Sequence, residues 1–283
     1  MKPGKVTNTI GVIAIALCCA GVQANTASNS ISETAQALSE ADKADLGKRY
    51  AQKWKQSDEG FGDSSNKIAM TLFDKGGNQS TRFMRMGVVE STNDERGDKV
   101  LLTFEAPANV KDSRVLIHSM IREGDLVWLY LPSIKRVKRV SSADRAGSFS
   151  GSEFSYEDIG SMEVGNYEYV WLRDETCGDF ECAVVKQIPL YPYSGYSSID
   201  VWFDKTHYRQ MKIQFYDRKG THFKTLTLSD YEQFLDRYWR PITMTMENHA
   251  TGKKTVLKSS EIEFQLGQRE TDYEPGKLKN LTQ

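Results

Sequence analysis

The chain has 283 residues, with 37 Lys and Arg against 38 Asp and Glu, a formal net charge of −1 and a mean hydropathy of −0.54. That near balance excludes a nucleic-acid binder working through overall charge. Hydrophobic residues at 39% and aromatics at 11% are enough for a sizeable core, and one large all-β domain can use this length alone.

The N-terminus has the pattern of a secretory signal. Lys2 and Lys5 form a charged region, Gly11 to Ala20 is an apolar run too short to span a bilayer, and Val22-Gln23-Ala24 offers small residues where signal peptidase reads. The expected organisation is therefore a signal peptide over 1–24 and a single domain over 25–283, located in the periplasm. Cys18 and Cys19 raise a lipid-anchor reading, but Leu17 or Cys18 stands where a lipobox wants Gly, Ala or Ser.

Asn25 to Asn29 is polar and expected to be disordered. From Ile31 to Lys55 the apolar residues recur at helical spacing, and Ser39 followed by Asp42 reads as a helix start inside that span. The chain then turns to alternation. Strands are predicted over Lys67–Asp74, Ser80–Glu90, Lys99–Glu105, Ser113–Ile121, Leu126–Leu131 and Ile134–Val140. After a central segment they resume over Tyr167–Arg173, Ala183–Ile188, Ser197–Phe203, Tyr208–Tyr216, His222–Leu228, Trp239–Met246 and Lys254–Phe264. Turns such as Lys75-Gly76-Gly77-Asn78 and Asp217-Arg218-Lys219-Gly220 separate them. A short helix is expected at Lys277–Leu281.

This pattern predicts a mainly β protein, a long antiparallel meander that must curl. The helical stretches at Ile31–Lys55 and Phe154–Met162 are the natural plugs for its concave face. A membrane-spanning barrel, the competing architecture, would show an unbroken apolar band outward, whereas Lys, Arg, Gln and Glu stand in mid-strand here.

Side-chain alternation nominates the concave face. Met84 and Met86, Leu102 and Phe104, and Trp128 and Tyr130 come from successive strands; Met211, Ile213 and Phe215 form another apolar face, and Met244 lies on a third. Flexible, polarizable Met suits a cavity that takes varied chains. The one dense basic run, Lys135, Arg136, Lys138, Arg139 and then Arg145, reads as a solvated strand face or as a rim for phosphates or an acidic partner.

Cys177 and Cys182 flank Gly178-Asp179-Phe180-Glu181 at an apparent hairpin tip, and in an exported chain that spacing predicts a disulfide. His118, His207, His222 and His249 show no metal-ligand spacing, and no nucleophile elbow, P-loop or dinucleotide fingerprint is present, so no cofactor, metal or catalytic residue is assigned. Glu157 and Asp158 are adjacent, so they do not face one another and read as a cap or a lid salt bridge.

The stretch from Leu126 to Met162 carries the pattern Trp128-Leu129-Tyr130-Leu131-Pro132, Lys135 to Val140, Arg145, Ser148-Phe149, Gly151, Phe154-Ser155-Tyr156 and Glu157-Asp158. It resembles the LolA/LolB superfamily of outer-membrane lipoprotein-sorting proteins, in particular the larger branch often encoded beside RND-type exporters. The resemblance implies a curved, unclosed antiparallel half-barrel with helices as a lid and an apolar cavity for acyl chains of lipids or lipoproteins. It also implies a rim or lid drawn from Lys135, Arg136, Arg139, Arg145, Phe149, Phe154 and Tyr156. An inner-membrane RND-type transporter is the implied protein partner; a cargo-free accessory subunit docking on such an exporter is the alternative.

The exported protein is expected to begin at Asn25 and carry no acyl group. Intact mass of protein recovered from periplasm checks this, and a diacylglyceryl cysteine at Cys18 or Cys19 would overturn it.

Overall fold

The computed structural model describes residues 38–91, 93 and 96–280, which belong to one compact unit. The expected signal peptide, the polar stretch after it and the start of the helix expected from Ile31 lie outside them. The helix α1 runs Glu40–Asp58. Ser39 caps it, accepting from the Asp42 backbone N–H while the Asp42 carboxylate accepts from the Ser39 N–H, a reciprocal capping box. Its buried face is Gly47 and Ala51. A Cβ on Gly47 would lie 2.8 Å from the Trp171 backbone nitrogen, so only glycine lets the helix approach the sheet this closely.

Thirteen strands follow among the described residues. They are β1 (Asp63–Phe73), β2 (Gln79–Val89), β3 (Arg96–Ala106), β4 (Arg114–Met120), β5 (Leu126–Leu131) and β6 (Arg136–Arg139), then β7 (Tyr167–Cys177), β8 (Phe180–Pro189), β9 (Tyr196–Asp204), β10 (Gln210–Asp217), β11 (His222–Phe234), β12 (Tyr238–Asn248) and β13 (Lys253–Phe264). They make one antiparallel sheet in the order β6-β5-β4-β3-β2-β1-β13-β12-β11-β10-β9-β8-β7. The sheet is unclosed, with β6 and β7 as its edges. At about 4.8 Å per step a flat sheet would hold these edges roughly 58 Å apart.

The sheet is not flat. Asn166 donates from its side-chain amide to the Met120 carbonyl at 2.7 Å, while its own carbonyl accepts from the Leu190 N–H at 2.9 Å. One residue thus bridges β4 and the end of β8, from opposite ends of the strand order. The connection from β6 to β7, residues 140–166, crosses the concave face. The helix expected over Phe154–Met162 is there only a 3₁₀ turn at Tyr156–Asp158, and the one expected at Lys277–Leu281 is a 3₁₀ turn at Pro275–Lys277. The repeated small residues of this connection favour a tight, irregular path.

Register decides which side chains face inward. Met84 pairs with Phe104 and Met86 with Leu102; Leu102 pairs with Val115, and Val115 with Leu129. In the other half, Met70 pairs with Leu257, Leu257 with Met244, and Met244 with Leu228. All these rows pack into one core with Ala51, Phe149 and Phe154.

The same register corrects the expectation for Trp128 and Tyr130. They alternate with the inward Val127 and Leu129, so they face the convex side and pack with Val89, Leu116, Tyr273 and Leu278. A strand apolar on both faces is what a two-sided burial requires, and the second cover is the C-terminal tail. Lys99 donates to Glu274 at 2.7 Å, Arg114 to the Leu278 carbonyl at 2.6 Å, and His118 Nε2 lies 2.7 Å from the Tyr273 carbonyl oxygen. A Cβ on Gly87 would run into the Tyr273 hydroxyl, which explains the glycine beneath the tail.

Met211 is corrected in the same way. A register shift between Gln210 and Lys212 against β9 makes a β-bulge, and the bulge reverses the alternation. Gln210, Ile213 and Phe215 face inward while Met211 packs outside with Trp202 and the Cys177–Cys182 disulfide.

Because Trp128 is half-buried and stacks edge-on against His118 at 4.8 Å, Trp128→Ala should cost about 2 kcal/mol of stability, below the usual range for a fully buried Trp. It should also loosen the tail. Urea unfolding together with limited proteolysis after residue 267 reads both effects.

Candidate functional site

Between the curved sheet, α1 and the crossing segment lie two adjoining cavities. The first, about 330 Å³, reaches from Met84, Met86 and Leu102 under Phe149 and Phe154 towards Trp54 and Trp239. The second, about 280 Å³, is bounded by Ile213, Phe215 and Leu226 and by the polar group of Tyr167, Tyr191 and Arg145. Trp54, Ile159, Leu228 and Met244 border both. Phe104 is buried behind the lining, stacked on Phe149 at 5.9 Å.

The crossing segment closes this space as a plug. Its two adjacent acids diverge, as neighbours on a turn must. Asp158 accepts from Lys224 at 2.7 Å, from the Tyr196 hydroxyl at 2.6 Å and from the Ser155 N–H at 2.7 Å, and so is both turn cap and salt bridge. Lys224 lies 4.8 and 4.9 Å from the ring centres of Phe215 and Tyr196. Burial beside Asp158 pushes the Tyr196 hydroxyl well above its ordinary pKa. Glu157 accepts from the Gly195 N–H at 2.8 Å and the Tyr191 hydroxyl at 2.7 Å.

Arg145 is 4% exposed, lies against Gly124 and donates to the Pro192 carbonyl at 3.4 Å. Tyr156 meets Phe149 edge-on at 5.6 Å. The expected rim therefore divides. Arg145, Phe149, Phe154 and Tyr156 belong to the plug, whereas Lys135, Arg136 and Arg139 are exposed at the β5–β6 turn and the β6 edge and line neither cavity.

A second pin holds α1. Lys55 donates to Glu163 at 3.1 Å and lies 3.7 Å from Asp98. Burial would lower the Lys55 pKa, but the two carboxylates prevail and raise it. Sequence reasoning missed Arg209, Gln210 and the Asp58–Arg240 pair, which also line the first cavity. Arg209 and Gln210 fall in the strand expected over Tyr208–Tyr216; alternation put Gln210 on the outward polar face, opposite Met211, Ile213 and Phe215, and the bulge turns it inward. No group of three or more His, Cys, Asp or Glu that could hold a metal occurs among the described residues, and no described helix is long and apolar enough to cross a membrane. What the arrangement offers chemically is a partly open volume behind a polar latch, its first cavity mainly apolar, a place to keep hydrocarbon from water.

A family model described as an uncharacterized protein matches residues 96–280. No curated protein matches the chain. Among solved structures, one described as an outer membrane lipoprotein-sorting protein domain, from Vibrio parahaemolyticus, is 45% identical, with a TM-score of 0.81 over 84% of this chain and 100% of that one. A DUF1329 family protein from Desulfovibrio piger is 25% identical, with a TM-score of 0.78 over 83% and 99%. A LolA superfamily protein from Nitrosomonas europaea shares the fold at 18% identity, with a TM-score of 0.65 over 81% and 97%.

Asp125 faces the plug at Gly160, and desolvation raises its pKa from 3.8 to about 7, against the Met120 N–H it accepts and nearby Arg145. The folded protein therefore binds this proton more tightly than the unfolded chain. Its contribution to stability is complete below about pH 4 and is lost as pH rises through 7. Asp125→Asn should remove that part of the pH dependence, as read from denaturant midpoints between pH 4 and 8.

Proposed function

We propose, from the premise that the chain belongs to the family of the outer membrane lipoprotein-sorting protein domain from Vibrio parahaemolyticus and has a LolA-like fold, that it is a periplasmic carrier that shelters acyl chains of lipids or lipoproteins between envelope membranes. The observation that carries this reading is the pair of adjoining cavities under a plug held by side chains rather than by covalent or sheet bonding. Each CH₂ withdrawn from water is worth about 0.8 kcal/mol, so a single chain supplies useful affinity without a bond being made. The mechanism is burial and release. Acyl chains enter as the plug and α1 yield, and the latch at Asp158 and Glu157 restores the closed form when they leave. The carrier is read as one domain over residues 25–283, non-catalytic, and freed of its signal peptide.

The exposed cations of the β5–β6 turn and the β6 edge favour a second reading, docking on an acidic face of an RND-type transporter. The two readings separate by content. Protein purified from periplasm without detergent should yield acyl lipid on organic extraction and mass spectrometry, and a cargo-free subunit should yield none. Met244→Trp, which fills the boundary of both cavities, should lower the recovered lipid several-fold while costing about 1–3 kcal/mol of stability. Turnover of a labelled phospholipid by the pure protein would instead make it a hydrolase.

A further inference from the structure

Away from the cavities, three donor atoms converge on the convex face. His222 Nε2 and His249 Nε2 each lie 2.9 Å from the Thr225 hydroxyl oxygen, and the two imidazole ring centres are 4.8 Å apart. Thr225 alternates with Lys224 and Leu226, which are buried on the inner side, so its hydroxyl points outward. In a regular strand His222 would face the opposite way from Thr225. A bulge changes this. Phe215 pairs with Lys224 and Tyr216 with His222, so Phe223 is the extra residue and His222 turns outward. His249 reaches the same face from just past β12, where its N–H donates to the Phe223 carbonyl at 2.7 Å. Backbone geometry from two strands thus brings both rings to one hydroxyl.

The spacing has a chemical meaning. Nitrogen and oxygen donors bound at about 2.0–2.1 Å to one metal, at right angles, lie about 2.9 Å apart. Two imidazoles on adjacent positions of such a metal hold their ring centres roughly 4.5 Å apart. The cluster meets the first value and comes close to the second. A tetrahedral site would spread the donors to roughly 3.4 Å. Right-angled nitrogen and oxygen donors suit Cu²⁺, the ion that such ligands bind most tightly among the divalent metals of its row. The site is also reachable, because His249 is exposed and His222 and Thr225 are half-buried. Glu247, opposite Thr225 on β12, adds a negative charge on the same face.

We propose that His222, His249 and the Thr225 hydroxyl form a surface site for Cu²⁺, with two imidazole nitrogens and one neutral oxygen as ligands and water completing the sphere. In the bound form each ring carries its proton on Nδ1 and ligates through Nε2. None of the three residues lines either cavity, so the site goes beyond the carrier reading and does not depend on it. The two histidines are far apart in sequence and the third donor is a hydroxyl, so only strand register reveals the cluster.

The test takes the whole mature protein, stripped of metal with a chelator, and titrates it calorimetrically with Cu²⁺ in citrate, which competes for the ion without supplying nitrogen. One Cu²⁺ should bind per chain, and its electron paramagnetic resonance spectrum should be tetragonal with coupling to two nitrogens. His222→Gln and His249→Gln should each weaken binding at least about tenfold and remove one nitrogen coupling, while circular dichroism and the melting curve show that the fold survives. His207→Gln, on a different turn, should bind as the wild type does. Undiminished binding in both site variants would overturn the proposal in favour of the amino terminus or another surface group. Failure of the wild-type protein to take Cu²⁺ from citrate would also overturn it, leaving the three side chains as a hydrogen-bonded chain alone.

Discussion

The ion pair between Lys224 and Asp158, each with a side chain 4% exposed, is the contact on which the arrangement of the molecule depends. It joins a strand in the middle of one half of the sheet to a segment that starts and ends at the two edges. Two buried charges paired in this way contribute little net stability, because the gain in attraction is offset by lost hydration. Their effect is positional. With one partner removed, the other would be left charged in an apolar surround at a cost of about 3–5 kcal/mol, so the plug has one place to sit. Tyr196 and the Ser155 N–H complete the carboxylate's hydrogen bonding, and the aromatic rings around Lys224 replace part of its hydration.

That constraint matters because the sheet does not close on itself. A closed small barrel fills its interior with side chains of its own strands. Here the wall and the filling are different materials. The wall is a continuous ladder of backbone hydrogen bonds, while the filling, α1 and residues 140–166, is held by side-chain contacts such as Lys55 with Glu163 and Asn166 with Met120. The filling is therefore the part that can move without breaking the ladder, and the space under Phe149 and beside Met244 is the volume available to a guest.

Alternation and turn chemistry are local, and each of the thirteen strands was legible from them. So was the cap that begins α1, because Ser39 and Asp42 act within one turn. The inward rows through Met84, Met86, Leu102, Phe104, Ile213 and Phe215 followed from alternation alone. Three features were not local. Trp128 and Tyr130 face outward because a tail far along the chain covers them, and nothing in β5 itself distinguishes its two apolar faces. Met211 faces outward because one bulge shifts the phase of β10, and no residue marks that bulge in advance. Arg209 acquires its setting from Phe180, Tyr231 and Trp239, which belong to three different strands.

An unclosed sheet also keeps two exposed edges, and these are treated differently. One is β6, only four residues long, where Arg136, Lys138 and Arg139 stand exposed with Lys135 just before them. The other is β7, interrupted by an irregularity between Trp171 and Arg173 and packed against α1. Two copies meeting along β6 would bring like charges together within a few ångströms, and the bulged edge offers a broken ladder to an incoming strand. The wall can thus stay open while its two edges are poor templates for pairing with a second copy.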